Sequence, residues 1–152
     1  MTATVTPTVE KTPPEDYSQV PPEGKWCQDN QVRQVCVEDF RYLDELQDFT
    51  PDPGYRFIIF MTTIRNMGLY EIMVNPTDLT LIAANENEFS LAEEAGEITG
   101  RLGTAQVAPG RSESGLVMYE VPELNAPRLI RYQGSVVEKL IRIDLWDPPT
   151  DQ

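Results

Sequence analysis

Acidic side chains are the first candidates for chemistry, because 25 Asp and Glu stand against 12 Lys and Arg and histidine is absent. Five of them, Asp39, Asp44, Glu45, Asp48 and Asp52, fall in one short stretch. Calcium needs roughly six to eight oxygens converging at about 2.3–2.6 Å, and a surface loop can supply them. The spacing of an EF-hand is missing and the acids are scattered, so a solvated acidic edge is the preferred reading over a calcium site. Glu86, Glu88, Glu93, Glu94 and Glu97 form a second acidic group, read as a loop. Paired carboxylates also hydrolyse glycosides when about 5–9.5 Å apart, but so acidic a chain makes chance pairs. A carboxylate hydrolase is therefore a third reading without a definable site.

Lack of histidine removes Ser-His-Asp and Cys-His catalysis, His-ligated zinc and imidazole pH switches. Ser112 and Ser114 would need Lys139 as a buried base, which nothing in the pattern supports. Gly-Arg-Leu-Gly at 100–103 is too short for a phosphate loop. The soft thioethers of Met61, Met67, Met73 and Met118 suit copper, yet without histidine they read as core packing. Trp26, Tyr42, Tyr55, Tyr70, Tyr132 and Trp146 offer a sugar-binding face, or lids over the core, the preferred choice. No catalytic residue and no cofactor is expected.

Cys27 and Cys36 are separated by eight residues that begin with Gln-Asp-Asn-Gln. If that run is a hairpin turn, the thiols face each other across two strands and can form a disulfide. The alternative is two buried reduced thiols. The disulfide is preferred, and it accords with an extracytoplasmic location.

A charge of 12 − 25 = −13 repels nucleic acid and anionic lipid. No apolar run approaches the roughly 20 residues that span a bilayer, so no direct membrane insertion is expected. Five of the thirteen prolines lie in residues 1–24, a Thr/Pro-rich stretch. It reads as a disordered linker or stalk between an anchor, not present in this chain, and a surface domain. An ordinary cytosolic tail is the competing reading.

These residues need elements to position them, and the elements read as strands. Residues 32–40 alternate, 55–66 are apolar on both faces like a central strand, and 69–75, 78–85, 115–122, 128–132 and 136–146 follow. In the last, Val137, Ile141, Ile143 and Leu145 share a face. Ser90 and Glu93 could cap a short helix within residues 90–98. Asn66 is assigned to structure, bonding the backbone of a turn in which Gly68 is free to take positive φ; Pro109 and Gly110 form another turn. Many short strands with regular turn signals predict an antiparallel β-sandwich over residues 25–149, ahead of a small barrel, with a tail at 150–152.

Three segments in order carry a resemblance: FIIFMTTIRNMG, VNPTDLTLIAANENEF and VAPGRSESGLVMYEVPE. Together they resemble an uncharacterised immunoglobulin-like domain of bacterial surface lipoproteins, related in fold to the mycobacterial secreted immunoprotective antigen. The resemblance implies an all-β immunoglobulin-like sandwich, secreted or surface-anchored, with no catalytic residues to carry over. The expected role is a non-catalytic module for protein contacts, or a structural spacer, whose partner is another protein or cell-surface component. A carbohydrate- or calcium-binding module is the alternative.

Overall fold

The computed structural model describes residues 24–150. The expected linker, apart from Gly24, and the last two residues lie outside that span. In chain order the strands are β1 (Lys25–Asp29), β2 (Arg33–Leu43), β3 (Tyr55–Asn66), β4 (Ile72–Val74), β5 (Leu79–Ala83), β6 (Glu88–Phe89), β7 (Ala105–Val107), β8 (Ser112–Pro122), β9 (Pro127–Tyr132) and β10 (Ile141–Asp144). They form two four-stranded antiparallel sheets, ordered β1-β2-β3-β8 and β10-β9-β5-β6, with β4 and β7 as a separate pair. The chain is an all-β sandwich.

β3 is buried on both faces, which explains its unbroken apolar run. Ile58, Phe60 and Ile64 point between the sheets, whereas Phe57 and Ile59 join Met118, Ala95 and Ile98 in a second cluster on the outer face. Phe60 lies between the Phe40 ring at 4.5 Å and the Tyr119 ring at 5.8 Å. Each such side chain contributes about 1.5–3 kcal/mol on burial. Strand β2 keeps its apolar side inward only by changing phase. Glu38 pairs with Met61 but Arg41 pairs with Ile59, so a bulge intervenes, and Asp39 takes φ +59° within it. The bulge turns Phe40 into the core where strict alternation would have put Asp39.

Both edges of the first sheet are covered. Along β8, Leu116 exchanges backbone bonds with Gly100 and Leu102, and Ala92 donates to Met118. Gly115 permits this approach, since a Cβ there would strike the backbone of Arg101 and Leu102. At β1, Thr150 donates to the Lys25 carbonyl at 2.6 Å, and the Trp26 indole donates to the Asp147 carbonyl at 2.9 Å. Cys27 and Cys36 are opposed in register and joined by a disulfide, with Cα atoms 4.1 Å apart.

Several expectations need correction. The final strand spans only Ile141–Asp144, and Val137 stands in solvent instead of sharing the buried face of Ile141, Ile143 and Leu145. The strand expected at 69–75 shrinks to three residues, leaving Leu69 and Tyr70 exposed. The expected capping box does not form: Glu93–Gly96 is a single 3-10 turn with Ala92 at its cap and no side-chain cap bond. Gly68 does not adopt positive φ; the turn instead uses the Asn66 carboxamide.

Candidate functional site

Four connections gather at one end of the sandwich: residues 30–32, 67–71, 108–111 and 133–140. Arg33 ties two of them, 30–32 and 133–140, to strands β4 and β9. Its guanidinium is buried and donates to both Glu138 oxygens, from Nε at 2.8 Å and Nη2 at 2.7 Å. Nη1 donates to the Met73 carbonyl at 3.0 Å and the Tyr132 hydroxyl at 2.8 Å. The Asn30 amide donates to Glu138 as well, at 3.2 Å, and to the Lys139 carbonyl at 2.9 Å. A bidentate, fully hydrogen-bonded pair of this kind is the form in which a buried charge is tolerated. Gly134 is required beside it, because a Cβ would come within 2.9 Å of the Arg33 guanidinium carbon and 3.0 Å of Glu138.

The same cluster moves neighbouring proton affinities. Burial pushes the Tyr132 hydroxyl up to about 12, with Arg33 opposing. Burial also raises the Asp78 carboxyl, a shift that Arg33 opposes and Glu138 reinforces. The bonds of Arg33 and Glu138 hold the surrounding loops in position.

Asn66 fixes the second half of this end. It is fully buried, and its amide nitrogen donates to the carbonyls of Tyr70 at 2.7 Å and Val107 at 2.9 Å. Its oxygen accepts from the Gly68 amide at 2.9 Å. The Pro109-Gly110 turn docks on the same residue, with Gly110 N donating to the Asn66 carbonyl at 3.0 Å. The loop backbones are therefore pinned while their apolar side chains face outward. Leu69 is 87% exposed, Tyr70 83%, Val136 98% and Val137 90%, with Met67, Met73 and Leu140 also on the surface. The ends of the described chain, Gly24 and Thr150, lie at the other end of β1, beside Lys25.

The residues singled out from the sequence are dispersed. Asp39, Asp44, Glu45, Asp48 and Asp52 are all exposed, and no group of three or more acids, cysteines or histidines among the described residues is arranged to hold a metal ion. Asp39 is the bulge residue of β2. Trp26 and Tyr132 are buried, Tyr42 lies under the Arg56 guanidinium at 3.7 Å, Trp146 bonds the Pro127 carbonyl, and Tyr55 and Tyr70 are exposed. Ser114 pairs with Thr63, and Lys139 is exposed. Of the methionines, Met118 is core, whereas Met67 and Met73 are half exposed.

Sequence reading missed Arg33 and Glu138. One signal was present: Arg33 occupies the same phase of alternation as Val35 and Val37, and an inward arginine requires an acid.

The family model of a domain of unknown function, DUF4352, matches residues 24–140. The chain belongs to that family. No curated protein sequence matches it. Among solved structures, the candidate lipoprotein ycdA from Bacillus subtilis superposes with a TM-score of 0.63 at 16% identity, over 82% of this chain and 40% of that one. The chain thus spans about two fifths of the ycdA structure. The secreted protein MPT63 of Mycobacterium tuberculosis gives 0.55 at 12% identity, over 83% and 97% of the two chains. A functionally unknown protein from Listeria monocytogenes gives 0.56 at 10% identity, over 84% of both. At these identities the DUF4352 chain shares a fold with its neighbours. No helix among its described residues is long and apolar enough to cross a membrane.

Proposed function

We propose that this DUF4352 chain is a non-catalytic extracytoplasmic module that binds another protein through its apolar loop end. One observation carries the reading. Residues 67–73 and 136–140 present large apolar side chains to solvent from backbones locked by Asn66 and the Arg33–Glu138 pair. Exposed apolar groups gathered on fixed loops mark contact surfaces, and a rigid surface loses little entropy on binding. The two ends of the described chain lie together at the opposite pole, clear of the loop end. The disulfide supports an oxidising compartment, as does the likeness to a secreted protein and a candidate lipoprotein.

The test is affinity capture from the envelope of the source cell, followed by titration of the purified partner. Combining Leu69→Ser, Tyr70→Ser, Val136→Ser and Val137→Ser should leave the melting temperature unchanged and weaken that partner by at least about tenfold. Equal affinity for wild type and variant would remove the loop end as the contact surface.

A further inference from the structure

A second feature shares no residue with those loops. Where residues 91–104 cross the edge of β8, a cavity of about 500 Å³ opens between them and the sheet. It is lined by the apolar side chains of Pro76, Leu91, Ala95, Leu102, Leu116 and Val117, by Arg101 and Thr104, and by the backbone at Gly96 and Gly103. Volumes of roughly 300–1,000 Å³ are those of small-ligand sites. The Arg101 side chain has no ion pair or hydrogen bond among the described residues.

We propose that this cavity binds a small amphipathic monocarboxylate, its apolar body against the leucines and its carboxylate on Arg101. Six apolar side chains in the lining can pack against a hydrocarbon body, and the polar remainder of the lining suits one charged head. One guanidinium neutralises one negative charge and matches a carboxylate with two parallel hydrogen bonds. A dianion would keep an uncompensated charge on a chain of net charge −13. A second cavity, of about 390 Å³, lacks this character: Arg128 and Arg142 line it together with Glu86, Glu88 and Asp144, so both signs are already present.

The geometry supplies its own blocking variant. A Cβ at Gly103 meets nothing within 4 Å, and neither does one at Gly96, so both lining glycines can take a side chain without a clash at Cβ, and a bulky one there is the variant that tests for a block. The probe is decanoate, titrated calorimetrically into the full chain, with decan-1-ol as the neutral comparison. Expected are saturable one-to-one binding of decanoate, weaker binding of the alcohol, a loss of about tenfold with Arg101→Gln, and no binding by Gly103→Phe at an unchanged melting temperature. Gly96→Phe repeats the block if Gly103→Phe melts early. No saturable decanoate binding at millimolar concentration would overturn the proposal. So would decanoate affinity unaffected by both blocking variants, or equal affinity for acid and alcohol in wild type.

Discussion

Glu138 lies 105 positions from Arg33, yet the two side chains form a buried, bidentate ion pair. Removing one partner leaves the other as an unpaired buried charge, so Glu138→Gln should lower the unfolding free energy by about 3 kcal/mol in chemical denaturation. A loss under about 1 kcal/mol would show that water reaches Arg33. Glu120 makes a different prediction. Burial raises its carboxyl above the ordinary 4.5, and the nearby charges of Asp52 and Glu94 add to the rise, against a backbone hydrogen bond associated with Asp52. The folded state therefore holds this proton more tightly than the unfolded state does. Stability from this group is complete below the ordinary value and falls as pH rises through the raised one. Glu120→Gln should match wild type in acid and exceed it at neutral pH, as read from denaturation midpoints at the two values. A constant difference across pH would point to packing instead.

At the level of elements, the crossover over β8 depends on Gly115. In Gly115→Ala the added methyl collides with the Arg101 and Leu102 backbone, so the crossover must lift and bare the strand edge. The variant should melt several degrees lower and aggregate sooner on heating; an unchanged melt would mean the crossover shifts at no cost. The central elements were legible in sequence because burial wrote them there. β3 carries apolar residues on both faces because both faces are covered, and the hairpin bearing Cys27 and Cys36 announced itself by its spacing. Val136 and Val137 misled because their β character suggested continuation into the final strand. In the fold, Glu138 turns to Arg33, and β9 has already ended at Tyr132, leaving them no partner strand. The three-residue β7 carries no period to detect. The bulge at Asp39 was hidden because alternation assumes a constant phase. The loop end itself was illegible, since it joins segments distant in sequence through hydrogen bonds that composition does not reveal.

For the whole molecule, the disulfide is one of three ties on β1, with the β2 ladder and the C-terminal segment. Closing so short a loop limits the unfolded chain by roughly 2–3 kcal/mol. Reduction should lower the melting temperature by about that equivalent while the transition stays cooperative; loss of cooperativity would make the disulfide indispensable to the fold. The pairing of Lys25 with Thr150 has a mechanical consequence. Tension applied between Gly24 and Thr150 pulls the two ends directly apart, so the contacts of β1 with the C-terminal segment open one after another, as in peeling. Strands drawn along their length would resist together. Single-molecule stretching should therefore find yielding in small steps at low force, whereas one abrupt high-force rupture would contradict it. Under load the molecule opens from its base, and the pinned loops at the far pole are the last to feel the pull.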